Sequence, residues 1–115
     1  MVSAADFRKL ALALDEVTEE PHFERTSFRV NKKIVATLDE KKKLVCLMLD
    51  QIQQSVFCAF DPSVIYPVPN KWGKQGATYV ELKLVRKDML YDALNEAYKK
   101  AVRIKDRGNK FQHTK

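Results

Sequence analysis

The chain has few residues that bend or break a backbone. Three glycines and four prolines in 115 positions leave no stretch that reads as a low-complexity linker. No run approaches the roughly 18–20 apolar residues needed to cross a bilayer, so no membrane partner is expected. The opening residues, Met1 to Asp6, lack a basic region followed by an apolar block, and no secretory signal is expected. Cys46 and Cys58 each sit between apolar neighbours. Without a signal they predict a reduced, cytoplasmic protein with both thiols buried as small hydrophobes rather than joined in a disulfide.

Chemistry-bearing patterns are equally sparse. His22 and His113 are far apart, and no second His or Cys stands at metal-ligand spacing. A Glu20–His22–Glu24 cluster reads as a solvated loop. No GxSxG elbow is present, and Gly73-Lys74-Gln75-Gly76 fits neither phosphate-loop pattern. The expectation is therefore a non-enzymatic chain with no catalytic residues, no metal and no cofactor.

What is present is enough for one core. The hydrophobic fraction of 45% is ordinary for a globular domain. The length suits a single domain, read as residues 1–105 followed by a basic, flexible tail at 106–115. The formal charge of +6 is unevenly spread. Residues 1–98 are neutral, with 14 basic and 14 acidic side chains. Residues 99–115 carry Lys99, Lys100, Arg103, Lys105, Arg107, Lys110 and Lys115 against Asp106 alone. An opposite, acidic patch runs through Asp6, Asp15, Glu16, Glu19, Glu20 and Glu24. Such polarity suits an anionic partner, most simply nucleic acid, although a basic C-terminus also serves solubility alone.

Periodicity supplies the elements. Ser3 to Leu14 predicts a helix with a capping box at Ser3–Asp6 and an apolar face of Phe7, Leu10, Ala11 and Leu14. The acidic stretch from Asp15 to Glu20, closed by Pro21, ends it. Ser27–Val30, Lys33–Leu38 and Lys43–Met48 read as an antiparallel meander, with Asn31-Lys32 as a two-residue turn. Asp50 caps a helix over Gln51–Phe60, with Ile52, Val56 and Phe60 on its apolar side. Residues 61–76 read as irregular, with at most a short strand at Val64–Tyr66. Ala77–Leu84 is an alternating strand, and Arg86 to Ile104 a helix ended by Gly108. The order is α-β(3)-α-β(2)-α: an α+β, two-layer domain with helices packed on an antiparallel sheet.

At this point a family resemblance enters. Glu19-Glu20-Pro21-His22-Phe23 before Ser27-Phe28-Arg29-Val30, the strand Lys33-Ile34-Val35-Ala36-Thr37-Leu38, and above all Lys71-Trp72-Gly73-Lys74-Gln75-Gly76-Ala77-Thr78-Tyr79-Val80-Glu81-Leu82 resemble the MmcQ/YjbR family. The Leu94-Asn95-Glu96-Ala97-Tyr98 ending is also similar, and the likeness spans residues 4–104. Ala77 departs from the aromatic residue usual there. The resemblance implies a YjbR-like, secretion-chaperone-like fold, a DNA-binding label resting on two hairpin wings, and no catalytic residues.

Three basic groups are candidate contacts. Lys71 and Lys74 flank Trp72 in a glycine-containing loop, where the ring stacks a base or instead plugs the core, the favoured reading. Lys32 and Lys33, and Lys41 and Lys42, sit at hairpin tips able to straddle a phosphate backbone, though turn lysines also block sheet-edge aggregation. Arg103, Lys105 and Arg107 extend the basic end. The chain is expected to act as a monomer on nucleic acid, DNA favoured, with weak sequence specificity. The alternative is a module that binds a peptide or partner protein.

Overall fold

The computed structural model describes residues 2–113, and their side chains as far as residue 103. Helix α1 (Ala4–Leu12) starts where the capping box places it: the Ser3 hydroxyl accepts the Asp6 amide at 3.0 Å. Four antiparallel strands follow, β1 (Thr18–His22), β2 (Arg25–Val30), β3 (Lys33–Asp39) and β4 (Leu44–Met48). Next come α2 (Gln51–Phe60), β5 (Ile65–Pro67), the single turn α3 (Lys71–Lys74), β6 (Ala77–Glu81) and α4 (Lys87–His113). The strands form one sheet in the order β1-β2-β3-β4-β6-β5, antiparallel at every step.

Strand register explains the core. Phe28, Ala36, Leu47 and Thr78 stand side by side across the sheet, and Leu38, Val45, Val80 and Ile65 form the next row. All eight are buried. From α1, Phe7 meets Phe28 edge-to-face at 5.4 Å between ring centroids, a geometry that adds attraction beyond area burial. From α4, Leu90, Ala93, Leu94, Ala97 and Ala101 are buried, and the helix packs on β2, β3 and β4. Its small alanines let the backbone come close to the sheet. The opposite sheet face carries Ser27, Thr37, Cys46, Tyr79 and Tyr66 in register.

The α+β class, the helix-on-sheet layering and the exact span of α2 agree with the sequence reading. Several details differ. Four strands, not the expected three, precede α2: the acidic stretch forms the additional strand β1, and Pro21 lies inside it rather than ending a loop. It is tolerated because β1 is an edge strand, where a missing amide leaves no ladder bond broken. Lys71–Lys74 is a helical turn, not irregular chain. Strand β6 ends at Glu81, so Leu84 falls outside it and is exposed. Helix α4 passes through Gly108 to His113, since one glycine costs a helix only about 1 kcal/mol when no proline or left-handed cap follows. The side chains of Lys105 and Arg107 lie outside the described residues, as do residues 114–115 of the tail expected at 106–115.

A further difference concerns α2. Of its apolar residues only Phe57 is buried, whereas Ile52, Val56 and Phe60 point to solvent. The cysteines are likewise half-buried and free rather than fully enclosed. No helix among the described residues is long and apolar enough to cross a membrane.

Candidate nucleic-acid interface

Antiparallel order decides which basic residues meet. Asn31 and Lys32 both take positive φ, 50° and 69°, making the tight β2–β3 turn that an Asn at this position favours. The β3–β4 turn, with Lys41 and Lys42, lies at the other end of β3. Seven residues at about 3.3 Å each separate the two tips by roughly 20 Å or more. The two hairpin tips therefore do not share a surface. At the Lys42 end the neighbours are His22, Phe23, Glu24, Arg25 and Asp39, a mixed-charge setting. Glu40, in the same turn, is paired with Arg8 at 3.4 Å, and Arg8 also holds Glu19 at 3.0 Å.

The other end collects most of the remaining candidates. Lys32, Lys33 and Lys100 line a shallow cleft of about 280 Å³ whose apolar lining includes Ile34, Met48 and Ala97. The Lys100 ammonium donates to the Leu49 carbonyl at 3.1 Å, and burial there lowers its pKa. Leu49 in turn donates its amide to the Gly76 carbonyl at 3.2 Å. The Gln51 side-chain amide donates to the Lys74 carbonyl at 2.6 Å, and that of Gln54 to the Gly73 carbonyl at 2.8 Å. One unbroken run of contacts thus joins the Lys32–Lys33–Lys100 cleft to the Lys71–Lys74 turn. Beside that turn a second cleft of about 550 Å³ is lined by Pro67, Pro69, Lys71 and Lys74 among others. Arg103 belongs to the same end but is partly neutralised, with Asp50 at 3.7 Å.

Trp72 corrects the sequence reading. It does not plug the core: 53% of its surface is exposed. The cause is its neighbour. Gly73 is the buried residue of α3, and a Cβ built on it would lie 1.8 Å from the Val68 carbonyl oxygen. Gly73 must face inward, so Trp72, one position earlier on a single helical turn, faces out. Asn70 fixes the turn by accepting the Trp72 amide at 2.8 Å. Lys100 reads in the sequence only as one member of the basic C-terminal end, and its place in the cleft follows from the docking of α4 on the sheet. A lysine in the basic half of a helical pattern carries no signal of that.

The sheet face opposite the helices offers less. Burial raises the pKa of Cys46 there and of Cys58 on α2, which keeps both as thiols rather than nucleophilic thiolates. Tyr66 meets Tyr79 edge-to-face at 5.9 Å and donates its hydroxyl to the Glu81 carboxylate. That bond, with burial adding to it, pushes the Tyr66 phenol up to about 12. A phenol raised in the folded state stabilises fully below its unfolded value of about 10, and the contribution is lost as pH rises through about 12. Ultraviolet titration is expected to show a phenol ionising only at about pH 12, with Glu81→Gln returning it toward the ordinary range. A wild-type titration without such a late phenol, or one that Glu81→Gln leaves unchanged, would refute the assignment.

Comparison with known proteins bears on this fold. No curated protein matches the chain. The crystal structure of Deinococcus radiodurans protein DR2400, described as a DUF419 domain, superposes with a TM-score of 0.71 at 22% identity. The match covers 85% of this chain and 77% of that one, and at this identity it speaks for the fold. The YjbR family model matches residues 12–100, well over half of the sequence and including the Lys71–Gly76 segment, and the chain accordingly belongs to the YjbR family.

Proposed function

We propose that this chain is a non-enzymatic nucleic-acid-binding domain, DNA favoured, that reads little sequence. It binds through the sheet end carrying Lys32, Lys33, Lys71, Trp72, Lys74, Lys100 and Arg103, with Lys105 and Arg107 continuing the basic helix. Lys41 and Lys42 stand outside this interface. The observation that carries the reading is an exposed tryptophan set between two exposed lysines on a turn rigidly tied to the fold. An aromatic face stacks any base, and ammonium groups meet phosphate. The apolar lining of the Lys32–Lys33–Lys100 cleft suits a second base or sugar. Unactivated thiols favour binding over catalysis and suit a reducing, cytoplasmic setting. A protein-binding role draws support from a different surface, the apolar side of α2.

Trp72 is the chain's single tryptophan, so its emission reports directly on stacking. Titration with mixed-sequence single-stranded DNA at low salt is expected to quench it in a saturable way that added salt reverses. Trp72→Ala should melt at the wild-type temperature while losing roughly 1–3 kcal/mol of binding, the usual worth of one stacked base. No quenching and no anisotropy change with DNA or RNA, even at low salt, would end the reading.

A further inference from the structure

Helix α2 has an unusual solvent side. Ile52, Val56 and Phe60 are 73%, 46% and 65% exposed and stand at i, i+4 and i+8, one straight ridge. Beside them Ser55 and Ala59 are exposed and small. From Gln51 to Phe60 the helix carries no charge at all. A solvated helix face ordinarily alternates charges over such a length. A contiguous apolar patch of this kind marks an interaction site. Its inner side is fully engaged: Phe57 enters the core, and Gln51 and Gln54 bond the α3 turn. Along the ridge runs a groove of about 430 Å³, lined by Val56, Phe57, Phe60, Met89, Asp92 and Lys99 among others.

We propose that this face pairs two copies of the chain, α2 against α2, about a two-fold axis passing near Val56. Three observations favour a second copy over another occupant. The ridge is symmetric about its middle, so in an antiparallel pair Ile52 of one copy meets Phe60 of the other while the two valines meet at the axis. The Ser55–Ala59 row gives the opposing ridge a shallow furrow, the ridge-into-groove condition for close helix packing. Charge also complements itself. The N-terminal end of α2 lies among Lys74, Lys100 and Arg103, which outnumber the capping Asp50 paired with Arg103, and its C-terminal end carries the exposed Asp61. Antiparallel pairing brings each Asp61 toward the other copy's basic end and opposes the helix dipoles favourably. Because α2 itself is uncharged, self-pairing meets no like-charge repulsion along the ridge.

Three side chains on a ten-residue helix fall short of the roughly 800 Å² per partner found in stable complexes, so the dimer forms at high concentration and dissociates on dilution. The ridge itself lies outside the proposed nucleic-acid interface, although Lys74, Lys100 and Arg103 belong to both, so the test uses the chain alone without nucleic acid. Sedimentation equilibrium over a wide concentration range should show the average mass climbing from one chain toward two. Val56→Glu, which sets two carboxylates on the axis, should weaken the dissociation constant by about tenfold or more, equivalent to about 1.4 kcal/mol. Val56→Lys should do the same, and an equal mixture of the two variants should pair again. Only two-fold packing at Val56 restores association in the mixture. Ile52→Lys, at a position more exposed still, serves as a second variant, and each is checked for an unchanged thermal melt. A monomer at every concentration overturns the proposal and leaves the face to a different protein. Association that Val56→Glu does not weaken, or a mixture that stays monomeric, overturns it equally.

Discussion

Gly76→Ala is expected to cost the domain about 3–5 kcal/mol, at the severe end of single substitutions. Two causes act together. The residue sits at φ +113°, where a side chain strains the backbone by roughly 1–3 kcal/mol. The new methyl would also lie 1.8 Å from the Leu49 carbonyl oxygen, a main-chain atom that cannot swing aside. Leu49 and Gly76 are joined by a backbone hydrogen bond of 3.2 Å, and the Thr78 hydroxyl donates to the same Gly76 carbonyl at 2.8 Å. Separating them therefore disturbs the start of β6 and the entry to α2 at once. The loss is a large share of the roughly 5–15 kcal/mol that holds a small domain folded. Urea denaturation measures it, with Gln75→Ala, one residue away and exposed, as a near-neutral comparison. A cost below about 1 kcal/mol for Gly76→Ala would show that the close approach is not obligatory.

The largest functional effect is expected from reversing charge at one end of the sheet. The triple change Lys32→Glu, Lys71→Glu and Lys74→Glu should weaken DNA binding by about a hundredfold or more at low salt, and should reduce the slope of log affinity against log salt by about three. All three side chains are exposed, so the fold should survive, which a thermal melt confirms. Lys41→Glu with Lys42→Glu removes two charges from the opposite end and should change affinity by no more than about twofold. Fluorescence anisotropy at several salt concentrations separates the cases. Equal losses in both variants would mean that net charge alone drives binding. A larger loss in the Lys41–Lys42 variant would restore the hairpin tips as a pair of wings.

Local rules made much of this molecule legible. Ser3 and Asp50 cap their helices as the sequence suggests, at 3.0 Å and 2.7 Å from the third amide, because capping depends on a few adjacent residues. The Asn31-Lys32 turn and the alternation through β6 are equally local. Tertiary placement was less visible. Pro21 reads as a breaker until β1 is known to lie at an edge. Trp72 reads as core until Gly73 is seen to occupy the inward position. Ile52, Val56 and Phe60 have the spacing of a buried face, and periodicity cannot tell a face turned to the core from one turned to a partner. The hairpin lysines read as one surface until the sheet order places them at opposite ends.

The packing of α4 has a consequence for how the protein is made. The inner side of the β2–β3–β4 meander, with Phe28, Leu38 and Leu47, is covered in large part by Leu90, Leu94 and Ala97 of a helix that leaves the ribosome after every other element of the domain. Lys100, which closes the basic cleft, arrives later still. A nascent chain therefore presents the strands of the meander with an apolar side that α1, through Phe7, covers only in part. Neither the core nor the cleft can close until the last helix has been synthesised, so the domain folds after translation of this segment rather than during it.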